Sequence, residues 1–309
     1  MSNPRYILIV THAGRPDAVS ATLEACEQLV SAGITPVMTS DQLGEVRGMA
    51  QTPGQGLAVN TVAEVGVDCS LEELELVMVL GGDGTILKAA EIVRESQTPI
   101  LGVNLGHVGF LADSEREGLS DSVKRAVTKD YVVKERLTLD VEVLVDEKVV
   151  YRTWALNEAT VEKSARERML EVVIEVDRRP LSSFGCDGIV MSTPTGSTAY
   201  AFSAGGPVVW PNVEALLMVP LSAHALFSRP LVVNPYSLLA VEVLQRSAGH
   251  GVLWCDGRRS TELAPGSRVE VKRSQKSVKF ARLSQGPFTD RLVRKFSLPV
   301  AGWRGPAAQ

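Results

Sequence analysis

The chain has 309 residues, 45% of them hydrophobic and 22% charged, with a formal net charge of −4. That balance suits a soluble globular protein long enough for two cores, and it excludes the overall positive field that draws a protein onto nucleic acid or an acidic membrane. No apolar run approaches the ~18 residues needed to span a bilayer.

Tyr6–Val10 reads as a strand. It is too short for the core of a signal peptide, and no small-residue cleavage site follows. Gly14–Pro16 is a loop. Ala18–Ala32 has helical spacing through Val19, Leu23, Cys26, Leu29 and Val30, and ends at Gly33. Ile34–Met38 is a second strand. Residues 41–60, rich in Gly, Gln and Pro, read as a flexible loop with one short helix. Leu76–Leu80 is a buried strand, Thr85–Arg94 an amphipathic helix and Ile100–Asn104 another strand. Strands alternating with helices predict a Rossmann-like parallel sheet covered on both faces, with ligands bound beyond the carboxyl ends of its strands.

Between that strand and helix lies Leu80-Gly81-Gly82-Asp83-Gly84-Thr85-Ile86. The glycines remove the Cβ atoms that would keep a ligand off the backbone. Amides and a helix N-terminus favour phosphate. Asp83 adds negative charge there, which is costly unless the carboxylate takes a proton from an alcohol or meets a metal ion. The plain alternative is a tight connection. Neither G-x-x-x-x-G-K-[ST] nor G-x-G-x-x-G occurs. A second glycine cluster, Asn104-Leu105-Gly106-His107-Val108-Gly109-Phe110-Leu111, ends the next strand. Its Asn104 either contacts a ligand or holds the turn.

Ser120–Thr128 reads as a last helix of this part. Period-two stretches then dominate: Leu137–Val145, Val149–Leu156, Leu170–Val176, Ile189–Ser192, Leu238–Leu244, Gly251–Cys255, Val269–Arg273 and Val278–Leu283, with turn signals such as Asp256-Gly257. They predict a mostly antiparallel, all-β second domain. Phe288–Phe296 turns helical again and is expected to pack back on the first domain. The expected boundaries are 1–125 with 286–309 for the α/β nucleotide-binding domain, and 126–285 for the β-rich dinucleotide-binding domain. The basic runs Arg268–Lys279 and Arg291–Lys295 alternate with apolar residues and read as solvated faces.

Within the second part, Asn157-Glu158 offers an amide beside a carboxylate. The pair suits ribose diols or an adenine edge, or a solvated turn. Asp187 to Pro207 is richer: Ser192, Thr193, Thr195, Ser197 and Thr198 surround Pro194 and Gly196, which argues for a loop of donors and acceptors rather than a buried strand. Tyr200 adds an aromatic face that could stack on a base. The four cysteines, Cys26, Cys69, Cys186 and Cys255, form no Cys-x-x-Cys pair and read as free thiols of a reducing cytoplasm. The histidines have no metal spacing; His107 is the one to test. No residue is singled out as a metal ligand.

Taken in order, Gly81–Thr85, Asn104–Leu111, Asn157-Glu158 and Asp187–Pro207 resemble the NAD kinases, with the tail Phe288–Phe296 nearest the actinobacterial type. The first motif is shared with diacylglycerol kinases and 6-phosphofructokinases; Ser192–Tyr200 is the more diagnostic block. The resemblance implies phosphorylation of the adenosine-ribose 2′-hydroxyl of NAD by ATP, or by polyphosphate, with a divalent metal such as Mg²⁺, in a homo-oligomer (dimer or tetramer). It implies Asp83 as the catalytic carboxylate. Gly81, Gly82, Gly84, Thr85 and Lys88 would lie at the phosphates. Asn157 and Glu158 would hold the adenosine, and Asp187 the nicotinamide side. Thr195, Thr198, Ala199, Tyr200 and Ser203 would line the dinucleotide pocket, with Arg168 a further contact. Many family members carry an Arg two residues before Asp187, where this chain has Gly185. A contact made by that Arg is expected to be absent or replaced, with Arg178 or Arg179 as the candidates. Rival readings are a lipid or sugar kinase with the same Gly-Gly-Asp-Gly turn, and a non-catalytic NAD(P)-binding sensor.

Overall fold

A computed structural model describes residues 4–12, 14–49, 60–106, 109–165, 168–283 and 286–300. The chain divides into two compact units, Met1–Glu135 with Val278–Gln309, and Arg136–Ser277.

The first unit contains strands β1 (Tyr6–Thr11), β2 (Thr35–Met38), β3 (Ala63–Glu64), β4 (Leu74–Leu80), β5 (Ile100–Asn104), β6 (Ser114–Glu115) and β7 (Val132–Arg136). Its helices are α1 (Pro16–Ser31), α2 (Ser40–Met49), α3 (Asp83–Ile92) and α4 (Leu119–Thr128). The sheet runs β3-β2-β1-β4-β5-β20-β7, in which β20 is Val278–Arg282, with β6 on β5. Its pairings β1–β2, β1–β4, β4–β5 and β5–β20 are parallel. Leu76 to Leu80 are wholly buried, as a central strand covered on both faces must be. α1 starts with Pro16, buries Val19, Leu23, Cys26 and Leu29, and ends at Gly33 in the left-handed region at φ 75°.

The second unit holds β8 (Leu139–Val145), β9 (Lys148–Ala155), β10 (Glu158–Lys163), β11 (Leu170–Val176), β12 (Arg179–Cys186), β13 (Gly188–Ser192), β14 (Leu216–Leu221), β15 (Leu231–Val233), β16 (Leu239–Val243), β17 (Gly251–Cys255), β18 (Arg259–Leu263) and β19 (Arg268–Arg273), with one short helix, α5 (Tyr200–Ser203). They make two six-stranded sheets, β15-β14-β13-β10-β17-β18 and β12-β11-β16-β19-β8-β9. The core takes alternate residues from both: Leu139, Val141 and Val143 of β8, Val172 and Ile174 of β11, and Ala159, Val161, Ile189, Met191 and Leu253 from the other sheet. Each such Val, Leu or Ile contributes ~1.5–3 kcal/mol on burial.

The chain closes with β20 (Val278–Arg282) and α6 (Phe288–Phe296). Val278–Leu283, read from sequence among the strands of the β-rich part, forms a parallel pairing with β5 through Phe280 and Ile100.

The short helix expected within 41–60 is Ser40–Met49, and 50–59 lie outside the described residues. Two other expectations need correction. The helix after the glycine turn begins at Asp83 rather than Thr85, because Gly82 already has the extended backbone of an N-cap. Glu158–Lys163 and Arg179–Cys186 are strands that the period-two reading passed over: the first has only Ala159 and Val161 as apolar residues, and the second opens on Arg179 and Pro180 and carries Gly185. Pro180 is tolerated because β12 is an edge strand.

Candidate active site

In the first unit, β1, β4 and β5 end side by side, so Thr11, the Gly81–Thr85 turn and Asn104 share one sheet edge. The Gly81 amide donates to Val103 O (3.0 Å), and a Cβ on Gly81 would stand 2.6 Å from Thr85 Oγ1. Gly82 caps α3 without a side-chain hydrogen bond, and among the described residues the first-turn amides at Gly82–Gly84 meet no acceptor. Asp83 is the first helical residue and is half-buried. Its Oδ2 accepts from the Phe110 amide and its Oδ1 from the Leu111 amide, both at 3.1 Å. A Cβ at Gly109 would lie 2.3 Å from Asp83 Oδ1, so glycine is required there. Half-buried Lys88 stands one helical turn beyond Gly84 on α3.

Asn104 is buried and serves the loop. Its Nδ2 donates to Glu115 Oε2 (2.8 Å) and Gly106 O (3.2 Å), and its Oδ1 accepts from the Gly106 amide (3.4 Å). His107 lies outside the described residues.

In the second unit, Glu158, Thr160 and Glu162 share the face of β10 that turns away from the core, opposite Ser192, Val190 and Gly188 of β13. α5 packs on that face through Ala201 against Val190 and Val219. Tyr200, 38% exposed, stands among carboxyls: its phenol is pushed up by burial and by Glu162, Glu158 and Asp187. The hydroxyl block divides by depth. Ser192, Thr193 and Ser197 are wholly buried, which sequence reading did not anticipate. Each stitches backbone: Ser192 Oγ to Asn157 O (3.0 Å), Thr193 Oγ1 to Leu156 O (2.6 Å) and Ser197 Oγ to Pro194 O (2.7 Å). Thr195, Thr198 and Ala199 are half-buried, and Tyr200 and Ser203 exposed. Thus the outer members of the block are the ones available to a ligand.

The Asn157-Glu158 turn is held by a residue that sequence reading treated only as a turn signal. Asp256, at φ 54°, accepts from the amides of Leu156 (2.9 Å), Asn157 (2.7 Å) and Glu158 (3.4 Å) and pairs with Arg259 (2.8 Å). A Cβ at Gly196 would meet Asn157 O at 2.1 Å, so the turn and the hydroxyl loop are packed backbone to backbone. Burial and the Asp256 charge push Glu158 up to about 8; the Tyr200 amide donates to it. Glu158 therefore carries a proton at neutral pH and is a donor as well as an acceptor.

Asp187 sits at the other end of the β10–β13 ladder, opposite Lys163. The Lys163 ammonium, 2.6 Å away, holds the Asp187 carboxyl below its usual range. Arg168 lies near that end and donates to Ala248 O (2.8 Å), ~16 Å along β10 from Glu158. Arg178 and Arg179 do not fill the missing cation. They occupy the β11–β12 hairpin turn, ~20 Å of strand from Gly185. The cation beside Asp187 is Lys163, which carried no local motif. The basic strand residues are paired: Arg268 with Glu175 and Glu270 on its own sheet, and Arg273 with Glu214 in the loop before β14. Among the described residues no three His, Cys, Asp or Glu side chains group to hold a metal ion, and no helix is long and apolar enough to cross a membrane.

Comparison with known proteins matches residues 7–131 to the ATP-NAD kinase N-terminal domain and residues 156–283 to the ATP-NAD kinase C-terminal domain. The NAD kinase of Leifsonia xyli subsp. xyli is 62% identical over 306 residues, covering 99% of both chains. That of Thermobifida fusca is 55% identical over 309 residues, covering 99% of this chain and 93% of its own. Yeast NADH kinase, solved with NADH, superposes with a TM-score of 0.84 over 98% of this chain and 90% of that one. At 21% identity this last likeness speaks for the fold.

Proposed function

The chain belongs to the NAD kinase family, and from that premise we propose that it transfers the terminal phosphoryl group of ATP to the 2′-hydroxyl of the adenosine ribose of NAD, giving NADP. The observation that carries this reading, in a chain of that family, is a carboxylate at the first position of a helix whose N-terminal amides are left open.

Phosphoryl transfer asks for positioning and charge neutralisation more than covalent chemistry. Gly81, Gly82, Gly84 and Thr85 receive the phosphates, and Lys88 adds a positive charge. No protein cage of carboxylates is available for a cation among the described residues. A divalent cation such as Mg²⁺, when bound to the ATP phosphates, would neutralise part of their charge. Asp83 accepts the hydroxyl proton. The Phe110 and Leu111 amides orient its carboxylate.

The second unit recognises the dinucleotide. Protonated Glu158 and Asn157 take the adenosine portion, Asp187 with Lys163 the nicotinamide side, and Arg168 a further contact at that end. Thr195, Thr198, Ala199 and Ser203 line the pocket, and Tyr200 stacks on a base. By family the enzyme is a cytoplasmic homo-oligomer, dimer or tetramer, which light scattering on a sizing column will resolve.

The test is NADP formation by the purified chain with ATP or polyphosphate as donor and NAD, NADH, diacylglycerol and a sugar phosphate as acceptors. ATP-dependent NADP supports the reading. Transfer to lipid or sugar instead overturns it, and so does tight NAD binding without turnover, the signature of a sensor.

A further inference from the structure

Phe110–Asp113 is held from two sides. On one side the Phe110 and Leu111 amides donate to Asp83. On the other side the C-terminal segment takes the carbonyls of the same stretch. Arg291 Nη1, from α6, donates to Phe110 O (3.1 Å) and Ala112 O (3.2 Å), and its Nη2 to Asp113 Oδ1 (2.7 Å). Arg282 Nη1, from β20, donates to Leu111 O and Asp113 Oδ1, both at 3.2 Å. The Leu283 amide donates to Asp113 Oδ2 (2.6 Å). The Phe110 ring is flanked by Phe296 and Phe288, at centroid distances of 5.7 and 6.1 Å. The N–H of Phe110 is thus committed to Asp83 and its C=O to Arg291; for Leu111 the partners are Asp83 and Arg282. A shift of the carbonyls moves the amides that aim the carboxylate.

We infer that Arg291, backed by the Phe296 ring, is a positioning residue for phosphoryl transfer: it holds the Phe110–Asp113 loop so that the loop's amides aim Asp83. This rests on the catalytic role proposed for Asp83. An arginine suits the task because its planar fork reaches two carbonyls and a carboxylate at once, which a lysine ammonium does not. Loss of Arg291 does not strand Asp113, which keeps Arg282 and the Leu283 amide. The consequence is therefore displacement of the loop more than unfolding. A misplacement of ~1 Å in a reacting group costs on the order of 100-fold in rate.

The test compares Arg291→Ala, Arg291→Lys and Phe296→Ala with the wild type, and with Arg294→Ala on the exposed face of α6. Rates are expressed per NAD-binding site, counted by calorimetric titration, so that loss of folded protein does not register. Expected for Arg291→Ala is a kcat lower by about tenfold or more, with the KM and Kd for NAD within about threefold; Arg291→Lys recovers part of the rate and Arg294→Ala keeps it. A kcat per site within about twofold of wild type overturns the inference, as does a change confined to KM. If Arg291→Ala loses its NAD-binding sites, Arg291→Lys is judged by the same criterion against the wild-type rate. A wild type that binds NAD but transfers no phosphoryl group removes the proposed function and this inference with it; an active wild type with a normal Arg291→Ala removes the inference alone.

Discussion

The Glu158 carboxyl is buried beside the Asp256 carboxylate, and the two meet unequal surroundings. Asp256 is ringed by three consecutive amides and Arg259, which oppose the upward push of burial. Glu158 Oε2 reaches no donor among the described residues. Burial pushes both carboxyls up, and the amides with Arg259 favour the negative charge on Asp256 over Glu158.

That inequality has a pH signature. Burial and the Asp256 charge push Glu158 up to about 8 in the folded chain, from an ordinary value of 4.5. Between those values the native state binds the extra proton. Its stabilising contribution is complete below pH ~4.5 and is lost as pH rises through ~8, at up to ~1.4 kcal/mol for each pH unit. Glu158→Gln keeps a neutral side chain at every pH. Its melting temperature relative to wild type should therefore climb from pH 5 to pH 8.5 in scanning calorimetry. A constant difference over that range would refute the assignment.

Gly109→Ala should abolish turnover. Its Cβ would fall 2.3 Å from Asp83 Oδ1, so the carboxylate must turn or the loop must withdraw. A loss of at least ~100-fold in kcat is expected, by analogy with other ~1 Å misplacements, with NAD affinity retained in a binding titration. Near-normal kcat would mean that the observed Asp83 geometry is not the working one.

Asp83→Asn should bind NAD and fail to phosphorylate it. The variant loses the proton acceptor and also presents an NH₂ group to one of the two amides that now donate to it. General acid–base help is worth ~100-fold or more, so a variant retaining over about a tenth of the wild-type rate would exclude the general-base role.

Tyr200→Ala should weaken NAD binding and leave ATP binding alone. Base stacking on an aromatic ring is worth ~1–3 kcal/mol, or roughly 5- to 150-fold in Kd. Tyr200→Phe separates the ring from the hydroxyl that lies among Glu158, Glu162 and Asp187. Equal losses for NAD and ATP in the alanine variant would argue against stacking.

Periodicity and turn chemistry are local, and they made much of the architecture legible in the chain. The helix at Phe288–Phe296, the buried run at Leu76–Leu80 and the change from helix–strand alternation to period two are all decided by near neighbours. So was the glycine turn at Gly81–Gly84 ahead of a helix, since a turn of that kind needs no distant partner. Glu158–Lys163 was hidden because Ala159 and Val161 are its only apolar residues, too few for a period-two pattern to register.

What folding alone decided is which distant atoms meet. Asp256 reaches the amides at 156–158 because β17 pairs with β10. Lys163 finds Asp187 because β10 and β13 run antiparallel in that register. Arg291 reaches Phe110 because a terminal helix returns to a loop far back in the chain. A carboxylate's partners and its proton depend on burial and on charges a few ångströms away, and sequence distance carries no record of either. The chain by itself sets an acidic side chain in the glycine turn at Asp83; only the tertiary structure decides that the Phe110 and Leu111 amides hold it.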